Sequence, residues 1–191
     1  MNPIEQFNNW YEEEIKKSNL RIPSACCLTS IGFDEYPNSR FVSLKEVVDH
    51  KFVITGPLNS RKGAELFHNP KSSLTFWWTE TERQVRIQGD AYPIEESLAN
   101  TYFESRNRDS KIVSHICNQG ESIESLDILV ESFAAKKSKL ENTEIKRPEN
   151  WGGFYLNPKR IEFMEFKKNR LHFRELFTKE NNIWVNTFLQ P

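Results

Sequence analysis

Between Ala25 and Tyr92 the chain states one pattern five times. ACCLTSI, RFVSLKEVV, KFVITG, SLTFWW and RQVRIQGDAY are short, rich in β-branched and aromatic residues, and separated by turn-forming material. Segments of that length and composition predict strands. GFDEYPNS supplies a hairpin connection and Asp49-His50-Lys51 a tight one. Three further strand-like segments, GGFYLNPKRIEFMEF, RLHFRELFT and IWVNTFLQP, come near the end. A majority of short strands with a few helices predicts an α+β, mainly β chain, an antiparallel barrel with peripheral helices. At 191 residues it reads as one domain, 1–191, large enough for a proper core.

The helices fall outside the strand runs. Asn2 can cap and Pro3 suits a first turn, and Ile4, Phe7, Tyr11 and Ile15 then form one apolar stripe. NSRKGAELFHNP reads as a short helix ended by Asn69-Pro70. A helix after Pro93 runs through IEESLANTYFESR. Another carries Ile123, Leu126, Leu129, Val130 and Phe133 at helical spacing.

Net charge is −1, which removes the electrostatic case for nucleic acid or an anionic membrane surface, so any anion site must be a local cluster. The three cysteines and four histidines show no metal-ligand spacing, and adjacent Cys26 and Cys27 point to opposite strand faces, so no metal site is expected. No apolar run approaches a membrane span or a signal-peptide core, and the expected location is cytoplasmic.

Five local clusters could carry chemistry, and each has a plainer reading as solvated surface. Arg61 and Lys62 follow Ser60 at a helix start, where the dipole disfavours cations unless an anion is present. Arg40, Val42 and Leu44 alternate with Phe41, Ser43 and Lys45. Gln84 stands in ERQVRIQG, where a strand glutamine can hydrogen-bond a flat heterocycle. Tyr102 and Arg106 lie four apart on a helix, with Ser110 just beyond it. In NRLHFR, strand alternation puts Arg170, His172 and Arg174 on one face and Leu171 and Phe173 on the other. Together the clusters suggest a ligand with one or two phosphates and a flat polar ring.

The ordered set RFVSLK, SRKGAEL, ERQVRIQG, YFESRNRDS, WGGFYLNPKRIEF, RLHFR and FLQP resembles the pyridoxine/pyridoxamine 5′-phosphate oxidase family over nearly the whole chain. The resemblance implies an FMN-binding split β-barrel that works as a homodimer, with sites built from both subunits. It implies FMN-dependent oxidation of a phosphorylated B6 vitamer, pyridoxine or pyridoxamine 5′-phosphate, to pyridoxal 5′-phosphate with dioxygen as acceptor. Carried over, Arg40, Val42, Lys45, Thr55, Arg61, Lys62, Gln84, Gln119 and Arg174 would contact FMN. Lys45, Tyr102, Arg106 and Ser110 would hold the substrate phosphate, and Arg170 and His172 would lie against its ring as the catalytic pair.

The sequence also departs from the family pattern. A Tyr-Thr pair is Thr55-Gly56 here, a Gln-Ser pair is Gln119-Gly120, a Trp is Met164, and the Asp of RLHDR is Phe173. Two alternatives therefore stand beside the oxidase reading. One is a flavin oxidase of another substrate, of the phenazine-biosynthesis kind, and the other is a non-catalytic binder of flavin or pyridoxal phosphate.

Overall fold

The computed structural model describes residues 2–191. Helix α1 (Pro3–Lys17) opens with the Asn2 side chain accepting from the Ile4 N–H at 3.0 Å. Its stripe buries Ile4 and Phe7, and Phe7 meets Phe52 and Phe76 edge-on at 4.8 and 5.1 Å. Then come β1 (Ala25–Ile31), β2 (Pro37–Val48), β3 (Lys51–Pro57), α2 (Arg61–His68), β4 (Lys71–Trp78) and β5 (Arg83–Pro93). Three helices follow, α3 (Glu96–Glu104), α4 (Arg108–Ile116) and α5 (Leu126–Lys139). Strands β6 (Trp151–Glu165), β7 (Phe173–Glu180) and β8 (Ile183–Phe188) complete the chain. No helix among the described residues is long and apolar enough to cross a membrane.

All strand pairings are antiparallel, in the order β3-β2-β1-β4-β5-β6-β7-β8, and β6 pairs back onto β3 to close six strands into a barrel. Strand β6 splits its loyalty along one edge: Trp151–Leu156 pairs with β3, whereas Arg160–Glu165 pairs with β7. The change falls at Asn157-Pro158, where proline offers no N–H to a ladder. Opposite it, β5 shifts register between Gln88 and Gly89. A β-carbon at Gly89 would lie 2.1 Å from the Asn157 carbonyl oxygen, so only glycine permits this approach. The result is a split β-barrel of α+β, mainly β character, as expected from the sequence.

Alternation supplies the core. Leu28, Leu74, Ile87, Ile161 and Phe177 stand in register across β1, β4, β5, β6 and β7, all buried. A second cluster, including Val53, Phe103, Ile112, Trp151 and Tyr155, seats α3 and α4 on the barrel. The tight hairpin expected at Asp49-His50 is present, with φ of 47° and 64° joining Val48 to Lys51. Two positive φ angles at that point give the turn a twist that matches the strands.

Three expectations need correction. The helix after Pro93 does not reach Arg106: α3 ends at Glu104, and α4 restarts where the Asn107 side chain accepts from the Ser110 N–H at 2.8 Å. Ser110 therefore lies in the first turn of a second helix, not past the end of the first. Helix α5 starts only at Leu126, so Ile123 lies outside it, and no residue of α5 is fully buried; Leu129 and Phe133 are half-covered, while Leu126 and Val130 are exposed. Finally, β7 begins only at Phe173, because Arg170 has a φ of 67° and its N–H closes a turn onto the Lys167 carbonyl. Arg170, His172 and Arg174 do not share a strand face.

Candidate functional site

A cleft of about 750 Å³ lies among β2, β3, the start of α2 and the α3–α4 segment. Arg40, Val42 and Lys45 reach it from β2, Thr55 from β3, and Arg61 and Lys62 from α2. Arg106 and Gln119 line it from either side of α4. Eight residues singled out from the sequence thus meet in one place, five of them cationic.

Arg40 and Arg61 are held by Glu65, a fully buried carboxylate. It accepts from Ser30 Oγ at 2.5 Å, Asn38 Nδ2 at 2.7 Å, Arg40 Nη2 at 2.9 Å and Arg61 Nε at 2.8 Å. Arg40 Nη1 also donates to Ser30 Oγ at 2.5 Å, and Asp34 stands 3.6 Å from Arg61 Nη2. Burial alone would raise the Glu65 pKa, but the bonds from Ser30, Arg61 and Arg40 hold it below the usual carboxylate value. The i,i+4 pair with Glu65 also explains how Arg61 is tolerated in the first turn of α2.

Lys62 differs from its neighbour. Its ammonium donates to Ser60 Oγ at 3.1 Å and to Gln119 Oε1, and it has no carboxylate partner among the described residues. Burial, then the nearby Arg40, pushes its pKa down to about 8. Ser60 caps α2, with its Oγ accepting from the Gly63 N–H at 3.4 Å. A β-carbon at Gly56 would stand 3.3 Å from Lys62 Nζ, so the glycine leaves the amine room. Burial, then Arg106, lowers the Lys45 pKa, and burial lowers that of Arg106. Arg106 lies 4.9 Å above the Trp151 ring and donates to Ser114 Oγ at 2.5 Å. Crowded, partly desolvated cations around a concave surface are an arrangement that can hold an anion.

The remaining candidates sit elsewhere. Trp77, Gln84, Met164 and Arg174 form one row in register across β4, β5, β6 and β7. Gln84 Nε2 approaches Met164 Sδ at 3.9 Å. Arg174 donates to Glu162 Oε1 through Nε at 3.1 Å and Nη2 at 2.7 Å, and to the Gln190 carbonyl at 3.1 Å. His172 accepts from the Lys167 N–H at its Nδ1 and packs on Phe166, which in turn meets Trp77. Arg170 is exposed in the turn beside them. Neither this patch nor Tyr102 and Ser110 lines the cleft. The Tyr102 hydroxyl donates to Glu46 Oε1 at 2.5 Å, and burial, then Glu46, pushes its pKa up.

Sequence reasoning missed Glu65, Glu46, Ser114 and Trp151 as neighbours of these groups. Only Glu65 left a readable signal, its spacing of four from Arg61 on a predicted helix.

Comparison with known proteins bears on the family and the fold. Residues 11–136 match the family model described as pyridoxamine 5′-phosphate oxidase. Residues 151–191 match that of the pyridoxine 5′-phosphate oxidase C-terminal dimerisation region. A pyridoxine/pyridoxamine 5′-phosphate oxidase of Trichormus variabilis is 40% identical over 181 residues, covering 95% of this chain and 84% of the relative. One from Nostoc punctiforme is 38% identical, covering 100% and 89%. Among solved structures, PhzG from Burkholderia lata, in complex with tetrahydrophenazine-1-carboxylic acid, superposes with a TM-score of 0.93 at 27% identity, covering 100% of this chain and 93% of that one. A pyridoxamine 5′-phosphate oxidase-related, FMN-binding protein from Nostoc punctiforme shares the fold, with a TM-score of 0.82 at 12% identity and coverage of 100% and 98%.

Proposed function

The chain belongs to the pyridoxine/pyridoxamine 5′-phosphate oxidase family of oxidoreductases, and from that premise we propose that it binds FMN in the cationic cleft and oxidises pyridoxine or pyridoxamine 5′-phosphate to pyridoxal 5′-phosphate. One observation carries the reading: Arg40, Lys45, Arg61, Lys62 and Arg106 converge on one cleft in a chain whose net charge is −1. Its volume suits a small-molecule ligand.

The donor set fits a phosphorylated flavin. Arg40, Arg61 and Lys62 would hold the FMN phosphate beside the Ser60-capped start of α2, with Val42, Thr55 and Gln119 along the ligand. Lys45 and Arg106 would take the phosphate of the substrate, joined by Tyr102 and Ser110 once Tyr102 turns from Glu46. Bound flavin would supply a two-electron acceptor for hydride from the substrate's 4′ carbon, with dioxygen restoring it and yielding hydrogen peroxide; the alcohol would lose its hydroxyl proton, and the amine would take up water and release ammonia. The protein's own share is orientation and charge.

Gln84, Arg170, His172 and Arg174 belong to the same function through a second copy of the chain. Their patch lies on β5, β7 and the turn that precedes β7, largely inside the region that matches the dimerisation family. In a homodimer, the patch of one copy would face the cleft of the other, placing Gln84 and Arg174 on the flavin and Arg170 and His172 on the substrate ring. Cytoplasmic location is part of this reading, and the free thiols of Cys26, Cys27 and Cys117 suit it.

The test is direct. Purified protein supplied with FMN should form pyridoxal 5′-phosphate and hydrogen peroxide from at least one of the two substrates; absence of product from both refutes the reading. A second reading, a flavin oxidase of an unphosphorylated ring acid, draws on the likeness to PhzG and on Tyr102 and Ser110 lying off the cleft. FMN binding with turnover of a phosphate-free substrate alone would favour it.

A further inference from the structure

We propose that Glu65 is a positioning residue that sets the Arg40 and Arg61 guanidinium groups, from their buried side, as a clamp for a phosphate monoester. The inference rests on the reading of the cleft as the FMN phosphate site.

Glu65 cannot touch a ligand. A carboxylate offers about four lone-pair sites, and its four donors fill them: Ser30, Asn38, Arg40 and Arg61. It is fully buried beneath the cleft that both arginines line. The arginines come from different elements, β2 and α2, and like charges would otherwise drive them apart. Glu65 ties them to one point, and Ser30 bonds both the carboxylate and Arg40, which fixes the orientation of that guanidinium. Arg40 commits one N–H of Nη1 and one of Nη2 to this scaffold. A guanidinium carries five N–H donors in a planar fork, so donors remain for an oxyanion.

Field and geometry pull in opposite directions here, which makes the proposal decidable. A negative charge beside an anion site weakens anion binding by repulsion. A fixed pair of forks strengthens it by removing the ordering cost from the binding step. Glu65→Gln abolishes the charge and also turns an amide N–H₂ against donors, so the two effects part company. Glu65→Asp keeps the charge but withdraws it by one methylene.

Flavin-fluorescence titrations of the full chain with FMN and with riboflavin, which lacks the phosphate, provide the test. Both variants should weaken FMN binding on the order of tenfold, while riboflavin binding stays within about twofold. In an Arg40→Met, Arg61→Met background, Glu65→Gln should cause no further loss of FMN affinity. Tighter FMN binding by Glu65→Gln would overturn the proposal in favour of the field. Parallel loss of FMN and riboflavin would reduce Glu65 to a folding role. If Glu65→Gln does not fold, Glu65→Asp decides alone by the same ratio. Should the unaltered protein bind neither flavin, the FMN reading falls by itself. Inorganic phosphate, followed by ³¹P NMR line broadening, then judges Glu65: loss of phosphate binding in the variants supports the clamp, and unchanged binding overturns it.

Discussion

Lys62 should make FMN affinity depend on pH between 7 and 9. Burial and Arg40 push its pKa down to about 8, so about nine-tenths of the amine is charged at pH 7 and about one-tenth at pH 9. A phosphate monoester, with a second pKa of about 6, is dianionic throughout that range. If the dianion binds the charged amine, the apparent dissociation constant rises about tenfold from pH 7 to pH 9. Titration by flavin fluorescence at fixed ionic strength measures this. Lys62→Arg, charged at every pH, should flatten the profile, and Lys62→Met should bind weakly and flatly. Stability of the unliganded protein should run the other way. With a folded pKa near 8 against an ordinary 10.5, the unfolded chain holds more protons in that window. Stability therefore rises as pH climbs from about 8 to 10.5, and Lys62→Met should lose that rise. A flat FMN profile in the unaltered protein, or an equal slope in Lys62→Arg, would refute the reasoning.

Three substitutions test the scaffold. Gly63→Ala would place a β-carbon 2.1 Å from the Leu58 carbonyl oxygen and 2.9 Å from its Cα, both backbone atoms; a loss of about 1–3 kcal/mol in urea unfolding is expected, and an unchanged midpoint would show that the turn yields. Glu14→Gln sets an amide against the Glu80 and Thr81 N–H groups that the buried carboxylate now accepts at 3.3 and 3.0 Å. That should cost about 1–3 kcal/mol, read from the same curves, with FMN affinity unaltered. Phe163→Ala empties a fully buried position between Trp10 and Phe177, and calorimetry should show about 3–5 kcal/mol lost.

The barrel was legible because alternation and turn chemistry act over a few residues. The inward rows follow from period-two patterning, and Asp49-His50 turned as two residues tolerant of positive φ should. The failures came where a local rule met a competing local rule. Asn107 caps α4 so well that the helix through Arg106 breaks. Asn169 accepts from the Leu171 N–H at 3.1 Å, and with the Arg170 turn this delays β7 past His172. Strand periodicity carries no term for such side-chain-to-backbone bonds. The cleft was legible as separate basic clusters, but their convergence depends on the pairing of β2 with β3 and the seating of α2, which spacing alone does not encode. The half-covered face of α5 has the same cause: its periodicity sets a helix, not the surface that would cover it.

The cations sort into two classes, and the sorting explains how a chain with a net charge of −1 concentrates attraction in one place. Arg61 and Arg174 are bonded to Glu65 and Glu162, carboxylates almost wholly removed from water, and Arg40 shares Glu65. Those pairs fix geometry and contribute little field beyond themselves. Lys45, Lys62 and Arg106 have no carboxylate within ion-pair distance among the described residues, and all three have lowered pKa values from burial. Charges held together under partial desolvation repel one another, and an anion entering between them relieves that repulsion. The paired class can therefore be rigid without being attractive, and the unpaired class attractive without being rigid. On the function proposed above, a cleft with both would favour a ligand that carries its negative charge at a fixed position, such as a phosphate ester, over a diffuse anion of equal charge.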